Sequence, residues 1–170
     1  MSPAQNVHEL FMEAMTSLAS GVAVITARRE DGEPCGLLAT SITSFSNHPP
    51  SLLVSVGHTS RCHDALAASR HFGVHLLRAG ELELARLFAD RSAERRFEGL
   101  EWGWDGEVPE LAGTLAYLRC RRAENFARYD HTVLIGDIEG GRTGNGDPLL
   151  YARRRMDWLL QVDDDGLTRT

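Results

Sequence analysis

GLLATSITSFSNHPPSLLVSVGHTS, Gly36 to Ser60, is the stretch around which the rest of the chain organises. A small-residue strand, Gly36 to Ser41, runs into a hydroxyl-dense segment: Thr40, Ser41, Thr43, Ser44 and Ser46. Pro49-Pro50 and an apolar strand, Ser51 to Val56, come next, and then the loop Gly57-His58-Thr59-Ser60. Past it, Asp64-Ala65-Leu66-Ala67-Ala68 has helical composition. A strand thus delivers the chain to a small-residue loop, and a helix starts where the loop ends. Backbone N–H groups at a helix start, with Ser and Thr hydroxyls beside them, suit an anion such as phosphate.

Working outward, Asn6 to Ser20 is predicted to be a helix. Asn6 caps it, Glu9 stands at the capping-box position, and Leu10, Phe11, Ala14, Met15 and Leu18 share one face. Gly21 to Ala27 is a strand rich in β-branched residues. Asp31-Gly32 signals a hairpin turn, so the strand Cys35 to Ser41 returns antiparallel. Downstream come a short helix (Ser60 to Ser69), a strand (His71 to Leu77) and an amphipathic helix (Gly80 to Asp90) with Leu84, Leu87 and Phe88 on its core side. Arg91 to Gly113 is polar and punctuated by Gly and Pro, and reads as an excursion. Thr114 to Glu124 and His131 to Glu139 are long strands joined around Ala127 to Asp130. Gly140 to Gly146 reads as a mobile turn, and Pro148 to Tyr151 and Met156 to Val162 as short strands.

Six or more strands against three helices, without regular strand–helix–strand alternation, predict a β-rich α+β fold: an antiparallel barrel with appended helices. No GxGxxG follows a first strand, which argues against a Rossmann site. The expected organisation is a single domain over 1–162 and an acidic tail over 163–170.

Composition narrows the function. The net charge of −6 argues against a general nucleic-acid binder. No apolar run approaches a membrane span and no signal-peptide pattern opens the chain, so the expected location is cytoplasmic. All 18 basic residues are Arg. Without Lys there is no Schiff-base lysine and no P-loop lysine, which excludes P-loop enzymes, Class I aldolases and pyridoxal-phosphate enzymes. The three cysteines (Cys35, Cys62, Cys120) form no CxxC pair and read as reduced thiols.

Candidate chemistry is sparse. The hydroxyl run reads either as an edge strand facing water or as hydrogen bonding for a polar heteroaromatic ligand with a phosphate tail. His58, Cys62 and His63 lack a fourth metal ligand at a sensible spacing, and read as surface residues of a helix start; no metal site is expected. His131, after Asp130 at a strand mouth, is either a loop residue or one that contacts a carboxamide or supplies a proton near a redox centre. Trp102 and Trp104 read as lid or interface packing. The arginine clusters, Arg91/Arg95/Arg96, Arg119/Arg121/Arg122 and Arg153 to Arg155, read as solvated faces, any one of which suits a nucleotide phosphate.

Four stretches together resemble the flavin reductase-like family, the small reductase components of two-component flavin-dependent monooxygenases. They are FMEAMTSLASGVAVITA (Phe11 to Ala27), GLLATSITSFSNHPPSLLVSV (Gly36 to Val56), SRCHDAL (Ser60 to Leu66) and DHTVLIGDIE (Asp130 to Glu139). The resemblance runs from about Phe11 to Tyr151. It implies a split β-barrel of the FMN-binding type, a homodimer, and reduction of free FAD or FMN by NADH or NADPH, with reduced flavin passed to a partner monooxygenase. An alternative on the same barrel is a flavin-binding protein that keeps its flavin and does not turn over as a reductase; a third is a redox-silent member that binds another ligand, such as heme or pyridoxal phosphate. The resemblance places Gly36, Leu37 and Leu38 against the isoalloxazine ring and Thr40 and Ser41 at the ring and ribityl chain. It places Ser55 and Val56 beside the ribityl chain, Ser60 and Arg61 at the phosphate, and His131 near the nicotinamide. Two positions depart from the family: Tyr129 stands where Gly often precedes Asp-His, and Ala152-Arg153-Arg154-Arg155-Met156 replaces an Arg-Gly-Arg-Tyr-like close. The second departure makes Arg153 to Arg155 candidates for a phosphate or partner contact.

Overall fold

The computed structural model describes residues 6–90 and 95–160. The described elements are α1 (Val7–Ser17), β1 (Ser20–Gly21), β2 (Ala23–Arg28), β3 (Pro34–Ala39), β4 (Ile42–Asn47), β5 (Pro50–Gly57), α2 (His63–Ala68), β6 (His71–Leu76), α3 (Leu82–Ala89), β7 (Trp102–Asp105), β8 (Val108–Leu111), β9 (Ala116–Arg128), β10 (His131–Thr143), β11 (Leu150–Ala152) and β12 (Arg155–Trp158). Seven of the strands form one sheet in the order β3-β2-β6-β9-β10-β5-β4, with every pairing antiparallel. Two small sheets, β1-β11-β12 and β7-β8, complete the β structure. The expected antiparallel, β-rich architecture with few helices is what forms.

β2 reads Ala-Val-Ile-Thr-Ala without a polar alternation because it is covered on both sides. Ala23, Ile25 and Ala27 enter one core with Val54, Leu66, Phe72, Val74 and Leu134. Val22 and Val24 enter a second core with Leu77, Ala85, Phe88, Leu111 and Leu149. The Asp31-Gly32 turn closes the β2–β3 hairpin, with Gly32 at φ +90° and its N–H donating to Arg29 O at 3.0 Å.

Several elements differ from expectation. β10 runs on through Thr143, so Gly140 to Thr143 is strand paired with β9 and not a turn. Register shifts at Ile135/Gly136 and Ile138/Gly140 absorb the irregularity that the glycines announced. The Arg91–Gly113 excursion contains a hairpin, β7–β8, whose Trp102 stacks edge-on against Phe97 and Trp104, so these aromatics pack within the chain. Arg91 and the Asp163–Asp165 run lie outside the described residues.

α1 is capped as read: Asn6 accepts from His8 N at 3.0 Å. Its apolar face, however, buries nothing within the chain. Leu10, Phe11, Met15 and Leu18 are 53%, 56%, 44% and 55% exposed. Helical periodicity predicted the face correctly; what covers it does not come from these described residues.

The cysteines also correct the reading. Cys35 on β3 and Cys62 at the start of α2 are disulfide-bonded across 27 residues, with Cα atoms 5.8 Å apart. Spacing along the chain gives no hint of this, because the two meet only when β3 packs beside α2. Cys120 alone is free; burial pushes its thiol up to about 12, with Asp137 and Glu139 adding to the effect.

Both family departures fall on strained backbone. Tyr129, in the β9–β10 turn, has φ +54°, and Arg153 and Arg154, in the β11–β12 turn, have φ +49° and +61°. A glycine meets no Cβ penalty in this left-handed region, which is the physical reason for glycine at such turns.

Candidate functional site

The end of β3, the end of β5, the C-terminal part of α3 and the β11–β12 unit enclose a cleft of about 720 Å³. Leu37, Leu38, Thr40, Ser41, Ser55, Val56, Ser60, Arg61 and His131 all line it. Gly36 does not: it is buried behind the wall, where a Cβ would stand 2.5 Å from Phe88 Cε1. Its carbonyl instead accepts from Arg96 Nη1 at 3.0 Å.

The two strand ends are tied where the cleft opens. Ser41 Oγ donates to Ser55 O at 2.7 Å, and Ser55 N donates to Ser41 O at 3.1 Å. Thr40, by contrast, makes no side-chain hydrogen bond among the described residues, which leaves its hydroxyl for a ligand. The rest of the hydroxyl run divides from it. Thr43, Ser44 and Ser46 lie on β4, the edge strand of the large sheet, and Thr43 and Ser44 are exposed. The edge-strand reading therefore holds for residues 43–46, while residues 40–41 line the cleft.

Ser60 and Arg61 do not stand on a helix. α2 begins at His63 and has six residues. Ser60 Oγ accepts from Cys62 N at 3.2 Å, closing a turn before the helix starts. Ser60 and Arg61 therefore offer a hydroxyl and a guanidinium from the turn that precedes α2. The loop is braced from below. Thr132 Oγ1 lies 3.1 Å from His58 Nε2 and 2.9 Å from His63 Nε2, and His63 Nδ1 lies 2.9 Å from Asp64 Oδ1. A carboxylate only accepts, so Nδ1 of His63 carries a hydrogen. With both rings neutral, Thr132 donates to His63 and His58 donates to Thr132. The histidines read from sequence as surface residues are thus the loop's attachment to β10, and among the described residues no group of three potential ligands could hold a metal.

On the same cleft wall, His131 pairs with Gly57 across β10–β5. A Cβ on Gly57 would lie 3.5 Å from His131 Nε2, so the ring rests over a glycine that leaves it room. His131 Nδ1 lies 2.9 Å from Asp130 Oδ1. That hydrogen bond, with a further one from the backbone, holds the Asp130 carboxyl below its usual range. The pairing puts the hydrogen of a neutral ring on Nδ1 and leaves Nε2 as an acceptor toward the cleft.

Phe88, Arg96, Tyr151 and Met156 also line the cleft and were not singled out as site residues from sequence. Only Arg96 carried a signal, as a member of an arginine cluster. The other clusters are otherwise engaged. Arg119 pairs with Asp105 at 3.3 Å, and Arg121 with Asp137 and Glu139. Arg155 binds Asp157 through both Nε and Nη2, while Arg153 and Arg154 line a separate cleft against α1.

An antiparallel sheet with a hydroxyl-lined, arginine-ended cleft at its strand ends defines a nucleotide-type binding protein without a Rossmann fold. The chain belongs to the flavin reductase-like domain family, whose model matches residues 15–160. It is 35% identical over 143 residues to the FMN reductase (NADH) SmoA of Agrobacterium fabrum, covering 84% of this chain and 80% of that one. It is 32% identical to the reductase component of the 4-nitrophenol 4-monooxygenase/4-nitrocatechol 2-monooxygenase of Rhodococcus opacus, covering 86% and 78%. The solved flavin reductase domain protein of Arthrobacter sp. FB24 superposes with a TM-score of 0.86 at 31% identity, covering 93% and 99%. The split-barrel expectation stands with that likeness.

Proposed function

We propose that this protein is an NADH-dependent flavin reductase that reduces FAD or FMN and supplies reduced flavin to a partner monooxygenase. The observation that carries the reading is one cleft with three chemically distinct parts. It has an apolar wall (Leu37, Leu38, Val56), hydroxyls at Thr40 and Ser41, and the basic side chains of Arg61, Arg96 and His131. Flavin, when bound, supplies the redox centre that accepts a hydride from the nicotinamide. The chain's residues bind and orient. Leu37 and Leu38 give the ring an apolar surface, Thr40 and Ser41 meet its polar edge and the ribityl hydroxyls, and Ser55 and Val56 flank the ribityl chain. Ser60 and Arg61 hold the phosphate. His131 Nε2 accepts from the nicotinamide carboxamide and fixes that ring over the flavin. No nucleophile or strong acid is required, and the cleft presents none.

The assay is nicotinamide oxidation by the purified protein with added FAD, FMN or riboflavin. NADH consumption that depends on added flavin is expected; no turnover with any flavin would sink the reading. In the same assay His131→Ala is expected to raise the KM for NADH or lower kcat by about tenfold, with flavin affinity changed much less. An equal loss of flavin affinity would mean the nicotinamide has been misplaced.

The working unit of this reading is a homodimer in the cytoplasm, with residues 1–162 as its single domain. The uncovered apolar face of α1 supports the dimer, since such a face is ordinarily buried. Among the described residues no helix is long and apolar enough to cross a membrane. Sedimentation at micromolar concentration is expected to give twice the chain mass, and Phe11→Glu to shift it toward the single chain. A wild-type species sedimenting as one chain would remove the dimer.

A further inference from the structure

Thr59, Ser60 and Arg61 line the cleft from a loop whose own hydrogen bonds fix its shape. Ser60 N donates to Gly57 O and His63 N to Ser60 O, each at 3.0 Å, and Ser60 Oγ accepts from Cys62 N at 3.2 Å. These bonds run within the loop, so they set its turns and not its place over the sheet. Its place is set by what lies beneath. His58 N donates to Asp130 O at 2.8 Å, Cys62 is bonded to Cys35 on β3, and the Thr132 hydroxyl of β10 meets both histidine rings.

Thr132 is buried, with Val56 of β5 and Ala127 of β9 as its neighbours across the sheet. His58 Nε2 at 3.1 Å and His63 Nε2 at 2.9 Å converge on its one side-chain oxygen, with the two rings edge-on at 4.7 Å. The two rings bracket Thr59 to Cys62 in the chain. One sheet hydroxyl therefore clamps both ends of the segment that carries Ser60 and Arg61. With neutral rings that hydroxyl works in both directions, donating to His63 and accepting from His58. Serine reproduces this and valine cannot. Thr132 is not among the residues that line the cleft, so it acts on a ligand only through the loop.

We propose that Thr132 is the positioning residue for the flavin phosphate: through His58 and His63 it holds Ser60 and Arg61 where they discriminate a phosphorylated flavin from riboflavin. The inference rests on the flavin reductase reading, since it takes the phosphate to lie at Ser60 and Arg61. A hydroxyl and a guanidinium recognise phosphate by short, directional bonds. Displacing such a group by about 1 Å costs up to about a hundredfold. The residues assigned to the ring and the ribityl chain are placed differently. Thr40 and Ser41 follow β3, and the Ser41–Ser55 hydrogen bonds tie that strand end to β5 without Thr132. Loosening the clamp therefore acts on the phosphate and spares the rest of the flavin.

The test measures binding of FMN and of riboflavin by fluorescence quenching, beside the KM for NADH. The wild type is expected to bind FMN more tightly than riboflavin. Thr132→Val is expected to raise the Kd for FMN about tenfold, with the Kd for riboflavin and the KM for NADH unmoved, and Thr132→Ser to keep the wild-type ratio. His63→Leu, changed at the loop end of the same bridge, is expected to move the ratio the same way by about threefold, and it decides should Thr132→Val fail to fold. A purely structural role predicts equal losses for both flavins in the two variants; that result overturns the proposal, as does a ratio unchanged in both. A wild type that binds riboflavin as tightly as FMN also overturns it and leaves the reductase reading intact. Absence of NADH turnover with every flavin is the separate failure of that reading, and the FMN:riboflavin ratio of Kd still decides the role of Thr132.

Discussion

Acidification from pH 7 to pH 5 is expected to cost the fold about 2 kcal/mol through one buried side chain, His75. His75 is fully buried on β6 and stacks on Tyr117 with ring centroids 4.9 Å apart. Its Nε2 lies 3.2 Å from Pro109 O and 3.1 Å from Thr26 Oγ1, and Thr26 Oγ1 itself donates to Pro109 O at 2.7 Å. A carbonyl only accepts, so Nε2 carries the hydrogen, and Nδ1 is buried without a partner among the described residues. Protonation would place a second N–H and a full charge where nothing accepts either. Burial accordingly lowers the imidazole to about 3, with the positive charge of Arg142 acting the same way against the Pro109 carbonyl. The unfolded chain, with an ordinary histidine near 6.5, binds the extra proton first. Stability is therefore whole above about pH 6.5 and is lost progressively as the pH falls toward 3. Asp130 and Asp157, held low by His131 and Arg155, stay ionised across pH 5–7 and do not enter this window. Thermal melts at pH 7 and pH 5 should differ by roughly 4–8 °C in the wild type. His75→Gln keeps a donor for Pro109 and cannot titrate; its melt should depend less on pH by about that amount. Equal pH dependence in both proteins would remove His75 as the cause.

Gly136→Ala is expected to destabilise the protein by about 3 kcal/mol, at the upper end of overpacking costs. The added Cβ would stand 2.5 Å from Phe72 Cζ and 2.9 Å from Cys120 Cβ. Neither neighbour has room to retreat: Phe72 and Cys120 are both fully buried, and Gly136 sits beside a register shift of β10 that pins its strand. Denaturant titration measures the loss. Phe72→Leu in the Gly136→Ala background shortens the ring that is struck, so the double variant should lose clearly less than the two single losses added together. Strict additivity would show that Gly136 is required for another reason.

The chain order of elements was legible because local rules produced it. The Asn6 cap, the Asp31-Gly32 turn, the β-branched run of β2 and the proline-flanked β5 each arise from neighbours a few residues away. The resemblance of four stretches likewise led to the family and to nine of the residues that line the cleft. Phe88, Tyr151 and Met156 had no such signal. They are ordinary apolar residues on α3, β11 and β12, and they become cleft walls only because those elements fold over the end of β3.

Sequence alone determined that this is an antiparallel β-rich chain with a small-residue, hydroxyl-bearing segment after its third strand's start, and that lysine chemistry has no part in it. Periodicity, turn chemistry and composition are properties of neighbouring residues, so they survive without coordinates. Tertiary structure decided the pairing of Cys35 with Cys62, the start of α2 after Arg61 rather than before it, and the division of the hydroxyl run between cleft and edge strand. It also decided which arginines are spent on carboxylates, as Arg119, Arg121, Arg142 and Arg155 are. These are contacts between residues tens of positions apart, and only the packing of the sheet brings them within reach of each other.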